Sequence, residues 1–239
     1  MNILITGTSS GLGFGLAKHY LTRGHKVFGI SRSHNNGLDA FSNFVFLSQD
    51  LSHFEELKPK VAAFLANEKK IDLVILNAGI LNQIKDLYHT TLDEIESVMN
   101  INVWANKVLI DLLFRRLEEI PQIVAVSSGA SVSGARGWNA YSLSKATLNM
   151  LVNLYAKEFT ATHFCALAPG LIDSQMQEYI FNLSDTEAFP TIEKLKEVKA
   201  TRQMPSVDEA VHTVSKAIER ARDFESGSFL DVRTMGKTD

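Results

Sequence analysis

The sequence predicts an α/β protein built on a doubly wound parallel sheet of about seven strands with helices on both faces. Three observations carry this. Short apolar runs with β-branched residues alternate with longer segments of helical character. Glycines and small polar residues gather where the apolar runs end. No internal repeat, linker or low-complexity stretch breaks the alternation, so residues 1–239 read as one domain.

Asn2-Ile3-Leu4-Ile5 opens a strand expected over 2–6, and a helix is expected over 12–23. Between them lies Thr6-Gly7-Thr8-Ser9-Ser10-Gly11-Leu12-Gly13. A strand, a glycine-rich turn and a helix make a phosphate cradle, because glycines permit close backbone approach and the helix N-terminus offers free N–H groups and a positive dipole end. The spacing is G-x-x-x-G-x-G rather than the G-x-G-x-x-G dinucleotide fingerprint. Further strands are expected near 26–30, 44–48, 72–76, 122–127, 162–168 and 228–232. Helices are expected near 53–67, 91–118, 139–160 and 206–221. The stretch from Leu171 to Pro205 departs from this rhythm, with helix-like pieces such as Ile192 to Lys196 but no further strand–helix unit.

Ligands of an open parallel sheet bind beyond the carboxyl ends of its strands. Gly7 to Gly13 follows the first strand, Asn77-Ala78-Gly79 the fourth, Ser128 the fifth and Pro169-Gly170 the sixth. Of five tyrosines only Tyr141 has a lysine, Lys145, four residues on. That spacing puts phenol and ammonium on one helix face. A nearby cation favours phenolate and would lower the phenol pKa from about 10, giving an acid that exchanges a proton near neutral pH.

With these motifs in this order the chain resembles the short-chain dehydrogenase/reductase family, in its shorter single-domain branch, over nearly its whole length. The matching pieces are Thr6-Gly7-x-x-x-Gly11-x-Gly13, Asn77-Ala78-Gly79, Asn102, Ser128 thirteen residues before Tyr141, Tyr141-x-x-x-Lys145, and Pro169-Gly170. The resemblance implies a Rossmann-type sheet of strand order 3-2-1-4-5-6-7 and an oxidoreductase interconverting a carbonyl and an alcohol by hydride transfer. It makes Tyr141 the general acid/base, and has Lys145 tune it and bind the nicotinamide ribose. Ser128 would hold the substrate oxygen, and Asn102 a water linked to Lys145. Cofactor contacts are implied at Gly7, Ser9, Ser10, Gly11, Leu12 and Gly13, at Asp50 and Leu51 beside the adenine, and at Asn77, Ala78 and Gly79. Further contacts are implied at Tyr141, Lys145, Pro169, Gly170, Ile172 and Ser174, the last a hydroxyl where many members have threonine. Leu76 replaces an asparagine common before the Asn-Ala-Gly triplet, and the tail lacks the common paired glycines.

The end of the second strand bears on the cofactor. An acid there would bind both ribose hydroxyls of NAD. Ser31-Arg32 stands there instead, a hydroxyl and a guanidinium suited to phosphate, so NADP(H) is favoured, with NAD(H) possible.

Composition narrows the classes. A net charge of −3 without a basic run gives no footprint for nucleic acid, and no apolar stretch approaches the roughly 20 residues of a membrane span. The chain enters a strand at once, leaving no room for a signal peptide. Cys165, the only cysteine, lies in an apolar run and reads as a small buried hydrophobe; a cytoplasmic location is expected. The seven histidines show no metal-ligand spacing, so no metal is expected. Leu81, Trp138, Met176, Tyr179 and Phe181 could line an apolar pocket for a small-molecule carbonyl or alcohol substrate, with 171–205 as a lid. The resemblance implies a homodimer or homotetramer. Two other classes share parts of the pattern: a non-catalytic nucleotide sensor, which need not keep Ser128, Tyr141, Lys145 and Asn102 together, and a sugar-nucleotide epimerase or dehydratase, whose glycine spacing usually differs and whose C-terminal region is larger.

Overall fold

The computed structural model describes residues 1–184, 186–199, 201 and 203–236. Seven parallel strands form one sheet: β1 (Asn2–Thr6), β2 (Lys26–Ser31), β3 (Phe44–Ser48), β4 (Leu73–Leu76), β5 (Gln122–Val126), β6 (His163–Ala168) and β7 (Ser228–Asp231). Their order is β3-β2-β1-β4-β5-β6-β7, the order implied by the resemblance. The chain reverses direction across the sheet between β1 and β4, which opens a crevice beyond their carboxyl ends.

Side-chain alternation along the strands builds two cores, because successive residues point to opposite faces. Leu4, Ile123, Ala125, Phe164 and Ala166 enter one core, while Ile3, Ile5, Val124, Cys165 and Leu167 enter the other. The first is covered by α2 (Phe54–Phe64), α4 (Ala105–Arg116) and α6 (Asn139–Glu158), through Leu57, Leu109, Leu113, Leu148 and Val152. The second is covered by α1 (Gly11–Leu21) and α9 (Val207–Arg220), through Leu16, Tyr20, Val211, Val214 and Ile218. Cys165 is fully buried, and burial pushes its thiol up to about 12, as befits a packed hydrophobe rather than a nucleophile.

The predicted helix over 91–118 is three pieces. α3 (Leu92–Met99) starts at a Thr91–Glu94 capping box, a π-helical turn occupies Asn100–Trp104, and α4 continues the axis. The break has a local cause. Asn102, with no exposed surface, gives its amide to the loop after β4, donating to Ile80 O at 3.0 Å and accepting from Ile80 N at 2.8 Å. The wider turn accommodates that insertion, as π-bulges near functional sites often do. Two helices fill the stretch after β6 that lacked a strand: α7 (Gln175–Phe181) and α8 (Pro190–Glu197). Within the expected lid, Asp185, Ala200 and Arg202 lie outside the described residues. A further short helix, α5 (Ala130–Ser133), was not foreseen; four residues are too few to show a period.

Candidate active site

A cleft of about 630 Å³ runs along the carboxyl ends of the strands. Its lining includes all but one of the predicted cofactor and catalytic positions other than Asn102; the exception is Gly13, which lies directly beneath. At one end, Gly7 adopts φ 77°, a left-handed conformation that favours glycine, and turns the chain from β1 towards α1. A Cβ on Gly13 would stand 2.2 Å from Gly7 O and 2.4 Å from Asn77 Nδ2, so only glycine lets α1 start this close to β1 and β4. Asn77 locks the arrangement by donating from Nδ2 to Thr6 O at 3.0 Å, while Asn77 N and Ala78 N both donate to Thr6 Oγ1 at 3.0 Å. α1 carries no acid in its first turn, and its N-cap, Ser10, makes no side-chain capping bond. The N-terminal dipole end and the Ser10 hydroxyl are left for an anionic ligand, and a dinucleotide pyrophosphate fits that donor set.

Towards β2 and β3 the lining passes through Ser31, Arg32, Asp50 and Leu51. Ser31 is buried; its hydroxyl donates to Ser33 O at 3.0 Å and sits 3.3 Å from Thr8 Oγ1, so it supports the turn more than it faces outward. Arg32 is exposed and joins no ion pair among the described residues. Burial works to raise the Asp50 pKa, but the Ser52 N–H and O–H bonds, at 2.9 and 2.7 Å, and the Arg32 charge outweigh it and hold the carboxyl below its usual range.

The other end holds the predicted chemistry. α6 presents Tyr141 and Lys145, both buried. No side chain caps α6 at Trp138; Asn82, from the loop after β4, accepts from Tyr141 N at 2.9 Å instead and fixes the tyrosine's place on the first turn. Ser128 follows β5, accepts from Ala130 N at 3.1 Å on Oγ, and hydrogen-bonds the Tyr141 phenol. Lys145 Nζ donates to Val126 O at 2.7 Å, next to the carboxyl end of β5, and lies 5.7 Å from the Tyr141 ring centroid. Gly79 separates Lys145 from Asn102: a Cβ there would be 3.2 Å from Asn102 Oδ1 and 3.5 Å from Lys145 Nζ.

One expectation about this end needs revision. The lysine was expected to depress the Tyr141 pKa; burial raises it, with the Ser128 hydrogen bond pulling the other way. The ammonium donates to the Val126 carbonyl, and burial lowers its own pKa to about 8. The Asn102 amide is held by Ile80 and by Ser144 Oγ at 2.9 Å, and its backbone carbonyl accepts from Asn106 Nδ2 at 2.8 Å.

Beyond Tyr141 the wall is apolar: Trp138, Leu171, Met176 and Leu195 line it, and Leu81 and Tyr179 line an adjoining recess shared with Met176. Phe181 packs behind this wall and lines neither space. Pro169, Gly170, Ile172 and Ser174 border the same end from β6. Sequence reasoning missed Asn82, Asn149 and Arg233. Arg233, just past β7, lines the cleft beside Gly129 while paired with Asp231, from Nε to Oδ1 at 2.9 Å. No spacing rule links these residues to the motifs, since they meet only through folding. Asn149 alone left a trace, at helical spacing from Tyr141 and Lys145. Among the described residues no group of three His, Cys, Asp or Glu could hold a metal ion, and no helix is long and apolar enough to cross a membrane.

Residues 1–184 match the profile of the short chain dehydrogenase family, and the chain belongs to that family. It is 27% identical to the benzil reductase ((S)-benzoin forming) of Bacillus subtilis, covering 96% of this chain and 97% of the relative. It is 30% identical to an NADPH-dependent pterin aldehyde reductase of Arabidopsis thaliana, covering 76% and 79%. The solved structure of a short chain dehydrogenase/reductase from Saccharomyces cerevisiae superposes with a TM-score of 0.88 at 23% identity, covering 98% and 97%, which shows the shared fold. The protein is an oxidoreductase of the class that interconverts carbonyls and alcohols.

Proposed function

We propose that the chain is an NADP(H)-dependent reductase of bulky apolar ketones or diketones, with Tyr141 as proton donor. The observation that carries this reading is the meeting of Ser128, Tyr141 and Lys145 at the apolar end of a cleft whose other end is the open N-terminus of α1. A bound nicotinamide supplies the hydride, which no side chain can. The glycine turn from Gly7 to Gly13, with Ser9, Ser10 and Leu12, would hold the pyrophosphate; Asp50 and Leu51 the adenine; Asn77, Ala78, Gly79, Pro169, Gly170, Ile172 and Ser174 the nicotinamide half.

The chain's own residues account for the proton. Ala130 N–H holds Ser128 Oγ in place, and the serine proton, directed to the Tyr141 oxygen in the free site, would turn to a carbonyl oxygen bound between them. The raised Tyr141 pKa keeps the phenol protonated, the form a reductase needs before transfer. As negative charge develops on the substrate oxygen, both hydroxyls stabilise it and the tyrosine releases its proton to it. Lys145, beside Gly79, would bind ribose hydroxyls and favour the phenolate left behind. Asn102 and Ser144 brace this group from below.

Cofactor choice rests on Arg32 and on the lack of an acid at the end of β2, in keeping with the NADPH dependence of the Arabidopsis relative. The substrate class rests on the wall of Trp138, Leu171, Met176 and Leu195 and on the Bacillus relative's action on benzil. We further propose that 171–205 is a lid, and that the chain works in the cytoplasm as a homodimer or homotetramer. NADPH oxidation with benzil, aryl ketones and aldehydes tests the reading. Tyr141→Phe should lower kcat by about 10²–10⁴-fold, the usual worth of a positioned general acid, with NADPH affinity little changed. Near-normal turnover by that variant would remove Tyr141 from the chemistry.

A further inference from the structure

Ser128 sits on a turn, between the end of β5 at Val126 and the start of α5 at Ala130, and a turn needs an outside restraint to hold a hydroxyl in place. Besides the Ser127 N–H, which donates to Leu167 O of β6 at 2.8 Å, that restraint comes from one carboxamide on α6. Asn149 Oδ1 accepts from Ser127 Oγ at 2.5 Å, and Asn149 Nδ2 donates to Ser131 Oγ at 2.9 Å. Ser131 Oγ passes the contact on by donating to Ser128 O at 2.7 Å. The residue before Ser128 and its own carbonyl are therefore both tied to one side chain. Asn149 lies one helical turn beyond Lys145 and two beyond Tyr141, on the same face of α6. One rigid helix thus carries the phenol, the ammonium and the clip for the serine turn. The site needs an acceptor and a donor on the same short side chain, which asparagine supplies. Aspartate has two acceptors and would draw the Ser131 proton away from Ser128 O.

We propose that Asn149 is a positioning residue that acts through Ser128, fixing the serine hydroxyl against Tyr141 so that both meet one substrate oxygen. This rests on the reading that Ser128 and Tyr141 hold that oxygen. The test is a double-mutant cycle of Asn149→Ala with Ser128→Ala, reading kcat with a ketone the unmodified enzyme reduces, NADPH dissociation constant and melting temperature. Asn149→Ala is expected to lower kcat about ten- to a hundredfold while NADPH affinity stays within about twofold. In the Ser128→Ala background it should change kcat less than about twofold, because the group it positions is already gone. Asn149→Asp should show a partial loss of kcat. An equal loss in both backgrounds, or a loss that tracks melting temperature and NADPH affinity, would make Asn149 general scaffolding and overturn the proposal; so would unchanged kcat. If Asn149→Ala fails to fold, Ser131→Ala cuts only the Nδ2 arm and is run through the same cycle with the same criteria. Full activity in Ser128→Ala alone would instead overturn the role given to Ser128, and the positioning role with it.

Discussion

Lys145 shows how a single buried charge writes itself into the pH dependence of the whole chain. Burial lowers its pKa from 10.5 to about 8. Between pH 8 and 10.5 the unfolded chain keeps a proton that the folded one has shed, so this group makes stability rise with pH. Cys165 acts oppositely above about pH 9, because its thiol, raised from 9.0 to about 12, stays protonated when folded. The clean window is therefore pH 8 to 9. Over it the ligand-free protein should gain about 1 kcal/mol relative to Lys145→Met in denaturant unfolding. Parallel stability curves would mean that the ammonium is not buried as described. Arg32 carries the second prediction at this scale. A hydrogen-bonded charged contact is worth about 1.5–3 kcal/mol, so Arg32→Ala should weaken NADPH binding about ten- to a hundredfold and leave NADH nearly unaffected. Equal weakening of both cofactors in titrations would show that the guanidinium does not read the 2′-phosphate.

The segment from α7 to the start of α9 behaves as one element. Asp173 N donates to Pro205 O at 2.9 Å, so the inserted stretch is tied together where it leaves β6 and where it enters α9. Inside, Ile180, Ile192, Leu195 and Met204 pack with Ile84, Trp138 and Tyr141 into a small core of their own, separate from the two beneath the sheet. A polar latch borders it: Arg136 pairs with Asp86, Nε to Oδ1 at 2.6 Å, and its guanidinium carbon lies 5.6 Å from the Phe189 ring centroid. A narrow base, a small core and an exposed ion pair favour local opening over global unfolding. Amides of Gln175–Phe181 and Pro190–Glu197 should exchange faster than those of β1 or β5 without ligand, and gain protection when NADPH and a substrate analogue bind together. Protection equal to that of the sheet in the free protein would make the segment fixed scaffold.

At the scale of the molecule, the exposed side of α6 is the feature left unpartnered. Leu143, Met150 and Leu154 recur at helical spacing with about half of each side chain in water, and Trp104 at the start of α4 is similarly open. A stripe of this kind on a helix that also carries Tyr141 and Lys145 fits a second copy of the chain. Met150→Lys with Leu154→Lys should convert a dimer or tetramer to smaller species in sedimentation, with the fold retained because neither side chain enters a core. An unmodified protein that sediments as a monomer at micromolar concentration would remove the assembly proposal.

By itself the sequence determined what depends on local pattern. Short continuous apolar runs placed all seven strands to within a residue or so, since burial on both faces of a parallel strand leaves no polar alternation. The glycine turn, the Asn77-Ala78-Gly79 triplet and the Tyr141–Lys145 pair were legible because each is a short segment whose backbone or helical spacing is its own explanation. Tertiary structure decided whatever depends on which segments meet. The long helix breaks at Asn102 because Ile80, twenty-two residues earlier, takes its amide. The Tyr141 pKa moves up rather than down because the phenol is buried among Ile84, Trp138, Ile180 and Leu195, while Lys145 is drawn to the Val126 carbonyl. Arg233 lines the cleft, Asn82 the adjoining recess, and Asn149 holds the turn that carries Ser128; their carboxamides and guanidinium look like any surface polar group until folding supplies their partners. Burial and partner geometry, the terms that set pKa and position a hydroxyl, are properties of the assembled chain.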